Sequence, residues 1–161
     1  MENRVKVFVY FKDRNPEELH IIKKCLDSKQ ISCDFFSYSN RYSEEEYIRC
    51  LQKSKYGIWI GRHESQGFAL QEALSCNVPL LVWNITSMNQ EYGQHYSDIP
   101  ATTIPYWDER CGEYFYNADQ LDETFQTFIS QLESYRPREF VLENLSMEVC
   151  EKRFIDEIHN F

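Results

Sequence analysis

Strand-like and helix-like segments alternate along the first half of the chain, and this alternation limits the possible folds more than any other feature. Val5-Lys6-Val7-Phe8-Val9-Tyr10-Phe11 is β-branched and aromatic and reads as a buried strand. Asn15-Pro16-Glu17-Glu18 opens a helix, with Asn15 as N-cap, Pro16 at the first helical position and Leu19, Ile22, Cys25 and Leu26 at helical spacing. Cys33–Tyr38 reads as a second strand. Ser43 and Glu46 stand in capping-box positions ahead of Tyr47, Ile48 and Leu51. A third strand over Gly57–Gly61, a third helix over Gly67–Cys76 and a fourth strand over Val78–Trp83 follow. Ala101–Ile104 is expected to be a fifth strand, and two helices, about Asp119–Leu132 and Arg138–His159, are expected to close the chain.

Strands joined by helices of this length imply right-handed crossovers and a parallel sheet covered on both faces. The expected fold class is therefore α/β, a Rossmann-like doubly wound sheet. It forms a single domain over 1–161, with the last helices (about 119–161) on or beside it. In such sheets ligands sit beyond the carboxyl ends of the strands, near the point where strand order reverses. That rule directs attention to the loops at 12–15, 38–42, 62–67 and 83–92.

The 161 residues suit one domain with its own core. No stretch reaches the roughly 18 apolar residues of a membrane span. Met1-Glu2-Asn3-Arg4 runs into a strand-like segment and not a signal-peptide core. Six cysteines without a C-x-x-C pair or regular spacing fit free thiols in a reducing, cytoplasmic setting better than a zinc site or disulfide framework. Net charge is −9. It divides as +2 over 1–56 (eleven basic, nine acidic), −4 over 57–112 (two, six) and −7 over 113–161 (four, eleven). Such an acidic chain is a poor nucleic-acid binder, because that affinity comes from phosphate neutralisation. Its basic first third leaves room for a small anionic ligand.

All five glycines lie between 57 and 112, and Gly57, Gly61 and Gly67 bracket Arg62-His63-Glu64-Ser65-Gln66. Glycine serves where a backbone turns sharply or approaches a ligand. Here it does so at the strand-to-helix loop, where the helix N-terminus offers free N–H groups and partial positive charge to an anion. The loop is neither the dinucleotide fingerprint nor a P-loop. Glu64 in the loop and Glu72 on the helix stand eight apart and are expected to face one cleft, where two carboxylates can each accept hydrogen bonds from vicinal hydroxyls. The plain alternative for either is a solvated glutamate.

Glu64-Ser65-Gln66-Gly67-Phe68-Ala69-Leu70-Gln71-Glu72-Ala73-Leu74-Ser75-Cys76-Asn77-Val78-Pro79 resembles the signature of GT-B retaining glycosyltransferases of the family 4-like "glycosyl transferases group 1" class. Their motif reads E-x-F-G-x-x-x-x-E-A-x-A-x-G-x-P. Both glutamates, the glycine, the alanine after the second glutamate and Val-Pro match. Gln66 stands where Phe is usual, and Asn77, which tolerates a left-handed cap, where Gly is usual. The resemblance implies a C-terminal donor-binding domain, half of a GT-B fold. Its partner domain, which takes the acceptor, would come from another chain or from a longer polypeptide.

By the family's pattern, Glu64 binds donor-sugar hydroxyls as the catalytic carboxylate. The backbone at Ser65, Gln66, Gly67 and Phe68 approaches sugar and phosphate, and Glu72 holds the ribose. Lys12 and Arg14 are the matching candidates for the diphosphate, and Tyr38 to Tyr42 for the base. The implied reaction is metal-independent hexosyl transfer with retention. It needs no cofactor, the nucleoside-diphosphate sugar being the substrate.

For Arg62 and His63, contact with donor phosphate and a purely structural role both stand. Pro105–Gly112 is either a cleft-lining or a core aromatic loop, and Asn89, Gln90 and Glu91 follow the fourth strand where the family places a diphosphate turn. The alternatives are a non-catalytic nucleotide-sugar-binding module, or a flavodoxin-like signalling or interaction domain. Lys12-Asp13-Arg14 fits the latter poorly, for it would want an acidic cluster there.

Overall fold

A computed structural model describes residues 4–160; the leader expectation at Met1–Asn3 lies outside them. Five strands form one parallel sheet in the order β2-β1-β3-β4-β5: β1 (Lys6–Lys12), β2 (Asp34–Ser37), β3 (Ser54–Gly61), β4 (Leu80–Trp83) and β5 (Gly112–Phe115). The register runs Val9↔Phe35, Val9↔Ile58, Ile58↔Leu81 and Val82↔Tyr114. The helices are α1 (Pro16–Ser28), α2 (Glu44–Lys53), α3 (Phe68–Ser75), α4 (Leu121–Ser130), α5 (Pro137–Asn144) and α6 (Met147–His159). The fold is thus α/β, a Rossmann-like doubly wound parallel sheet with C-terminal helices. No helix among the described residues is long and apolar enough to cross a membrane.

Period-two alternation sorts the core into two layers. Val7, Val9, Ile58, Ile60, Leu81 and Trp83 point to one face, where Ile22 and Leu26 of α1 and Phe125 and Phe128 of α4 cover them. Phe8, Tyr10, Trp59, Leu80 and Val82 point to the other, under Tyr47 and Leu51 of α2, Leu70 and Leu74 of α3 and Phe140 of α5. The caps at Asn15 and Ser43 form as the sequence indicates, Ser43 and Glu46 completing a capping box.

Two expectations are corrected. Ala101–Ile104 is not a strand. Its polar groups are met locally: Thr103 N and Thr102 Oγ1 each donate to Asn84 Oδ1 at 2.9 Å, and Thr103 Oγ1 to the Gly61 carbonyl at 2.9 Å. The fifth strand is Gly112–Phe115, opened by Gly112 at φ 134°; a Cβ there would lie 2.0 Å from the Leu80 carbonyl oxygen, so only glycine lets the strands meet. The helix expected over Arg138–His159 is two, because Ser146 caps a new one, accepting from Val149 N.

Arg110 ties the loop before β5 to α5, its Nη2 donating to Asp108 at 2.8 Å and its Nη1 to Glu143 at 2.5 Å. The bonds from Arg110 hold the Asp108 carboxyl below the usual carboxylate range. A lowered folded value means that this stabilisation is present above the unfolded value, about pH 4, and is lost as pH falls through the folded one. Asp108→Asn is therefore expected to lower the melting temperature at pH 7, by about 1 kcal/mol of stability for so accessible a pair. The gap to wild type should narrow in thermal melts as pH falls below about 4 and through the lowered folded value.

Candidate functional site

Strand order reverses between β1 and β3, since the chain leaves β1 toward β2 and returns on its other side. At that point the carboxyl ends of β1, β2 and β3 and the start of α3 enclose a hollow of about 250 Å³. Tyr10 and Lys12 come from β1, Tyr38 and Tyr42 from the loop after β2, Trp59 from β3, and Glu64 through Leu70 from the glycine-bracketed loop and α3.

Lys12 Nζ donates to Glu64 Oε1 at 2.7 Å, with side chains only 12% and 13% exposed, and stands 4.7 Å over the Tyr38 ring. Backbone bonds set the loop that delivers Glu64. Arg62 N donates to the Lys12 carbonyl at 3.0 Å and Glu64 N to that of Thr102 at 3.0 Å. Gly67 then turns the chain into α3 in the left-handed region, φ 71° and ψ 47°, without a side-chain cap. The first-turn N–H groups at Phe68, Ala69 and Leu70, residues that line the hollow, are thus left for a ligand. Tyr47 Oη donates to the Ala69 carbonyl at 2.7 Å and anchors that turn. A Cβ on Gly67 would meet nothing closer than 3.7 Å, so Gly67→Ala carries only the conformational cost. Denaturant titration is expected to show a loss of about 1–2 kcal/mol.

The wall is aromatic. Tyr10 stacks on Trp59 at 4.0 Å and 5°, and its hydroxyl lies 3.1 Å from that of Tyr42. Burial pushes the Tyr10 and Tyr42 phenols up, so both stay neutral at ordinary pH. The Trp59 Nε1–H has no partner among the described residues.

The structure brings Lys12, Tyr38, Glu64, Ser65, Gln66, Gly67 and Phe68 together around the hollow. It places four other sequence-chosen residues elsewhere. Arg14 is buried, its guanidinium bound to Glu18 at 2.7 and 2.9 Å and to the carbonyls of Gly61 and Trp83 at 2.9 Å each. Glu72 lies outside the lining, close enough to Tyr42 and Tyr47 to act on them electrostatically. Burial, and then Glu44, pushes its carboxyl up. Arg62 and His63 turn to the loop after β4, where Glu91 Oε2 lies 3.4 Å from Arg62 Nη1 and 3.0 Å from His63 Nδ1. Glu91 is 7% exposed, and Asp13 Oδ2 completes the cluster 3.4 Å from Arg62 Nε. Sequence reasoning missed Tyr10 and Trp59 as lining residues; their signal was position, near the carboxyl ends of two strands flanking the reversal.

No protein-family model matches this chain, and comparison with curated proteins finds no match.

Proposed function

We propose that this chain is the donor-binding domain of a retaining, metal-independent glycosyltransferase that takes a hexose from a nucleoside-diphosphate sugar. The observation that carries this reading is the placement of the Glu64–Glu72 motif. Its loop lies at the strand-order reversal, with Glu64 and the uncapped start of α3 on one hollow. Departure of a nucleoside diphosphate builds negative charge on an oxygen. An uncapped helix N-terminus and a partly buried ammonium are preorganised to stabilise that charge. In this reading Glu64 accepts hydrogen bonds from sugar hydroxyls, Lys12 bridges Glu64 and the phosphates, and Tyr38 stacks beneath the base. The acceptor is held by a second domain in another chain or polypeptide.

A second reading, a binding module that holds the nucleotide sugar without transferring it, draws on a separate observation. Lys12 is already neutralised by Glu64 and Arg14 is spent inside the protein, which leaves little free cation for a leaving group. Thermal shift with UDP, GDP and their sugars tests what both readings share, since a ligand that binds only the native state raises its stability. Nucleotide release on adding acceptor, lost in Glu64→Ala, separates enzyme from module.

A further inference from the structure

A larger groove, about 520 Å³, runs along the outer side of the sheet between β2 and α2. It does not depend on the motif or on the reading above. α2 lines it with Glu46, Arg49, Cys50 and Lys53, which follow one helix face at i, i+3, i+4 and i+7. Phe36 and Tyr42, ring centroids 5.3 Å apart, add aromatic surface. Tyr42 also lines the hollow beside Glu64, so one ring stands between two concavities.

The charge is unusual for this chain. Four cations, Lys6, Arg41, Arg49 and Lys53, and two carboxylates, Asp34 and Glu46, line the groove, a balance of 4 − 2 = +2 in a protein of net −9. Lys6 is paired with Asp34 at 2.6 Å and Arg49 with Glu45. Arg41 and Lys53, both exposed, have no ion-pair partner among the described residues. A phosphate dianion, with three acceptor oxygens, meets a guanidinium and an ammonium better than a single carboxylate does. Phe36 and Tyr42, on the Arg41 side of the groove, favour an organic group over a bare ion, and the volume suits a small molecule. We propose that the groove between β2 and α2 is a second ligand site that binds a small phosphate ester, Arg41 and Lys53 taking the phosphate and Phe36 and Tyr42 the organic part.

Phenyl phosphate is the probe, titrated into the full-length protein and followed by amide NMR shifts, with inorganic phosphate alongside. Expected are saturable shifts at 40–42 and 49–53, with phenyl phosphate binding several-fold tighter than inorganic phosphate. The double variant Arg41→Ala/Lys53→Ala should weaken binding about tenfold or more, while Glu64→Gln leaves it unchanged. Both substituted side chains are exposed, and an unshifted melt of the double variant shows that its fold is intact. The proposal is overturned by shifts centred on 64–70, by equal affinity in the double variant, by no saturation at about 10 mM probe, or by the groove preferring a polyglutamate peptide to phenyl phosphate.

Discussion

Arg14→Met is expected to lower stability by about 3 kcal/mol, the cost of dismantling a buried, fully bonded ion pair. On a chain of this size that lowers the melting temperature by roughly 6–12 °C. The Arg14 side chain is 0% exposed, and its guanidinium meets the ends of β3 and β4 as well as Glu18. Methionine keeps the length but leaves the Trp83 carbonyl without that donor; the Gly61 carbonyl keeps Thr103 Oγ1. Glu18 is 21% exposed and can turn to water, which holds the loss below that of a sealed pair. Arg14→Lys is expected to recover little, because an ammonium cannot reproduce a planar fork serving four acceptor atoms at once. A melt of Arg14→Met indistinguishable from wild type contradicts this assignment.

Glu64→Gln is expected to cut sugar transfer by about 100–1000-fold, the scale for losing one preorganised electrostatic contact in a water-poor site. The substitution preserves shape and one acceptor oxygen, and removes the charge that faces Lys12. It also leaves an ammonium only 12% exposed without its partner, so a stability loss of about 1–2 kcal/mol accompanies it. Rate and stability are separable here. Single-turnover transfer, measured well below the variant's melting temperature, must fall far more than the folded fraction does. An unchanged rate with a lowered melting temperature makes Glu64 a structural residue only.

The fold was legible because its signals are local and repeated. Strand residues alternating between two faces and capped helices of ordinary length leave few arrangements besides a doubly wound parallel sheet. The failures came where a tertiary contact overrode a local signal. Gly112 reads as a loop residue, yet it opens β5 opposite Leu80, where a Cβ would strike the Leu80 carbonyl oxygen. Thr102 and Thr103 have strand propensity, but Asn84 and the Gly61 carbonyl absorb their polar groups. At the site, Lys12 and Arg14 are equivalent in sequence. Asp13, at φ 49°, turns the chain between them, so that one faces the hollow and the other enters the interior. Glu64 lines the hollow because its loop position is fixed by the strand before it. Glu72 sits farther along α3, on the flank near α2, and its distance from the hollow depended on helix packing that spacing alone does not encode.

In the proposed reading, the hollow bounded by Lys12, Glu64 and the first turn of α3 holds a nucleoside-diphosphate sugar. Amide NMR titration of the wild-type chain with UDP- and GDP-hexoses tests it most directly. Saturable shifts at Lys12, Tyr38 and 64–70 are expected for at least one of these sugars, weakened by Glu64→Gln. Absence of shifts there with every nucleotide sugar at millimolar concentration, in a protein whose melt shows it folded, contradicts it.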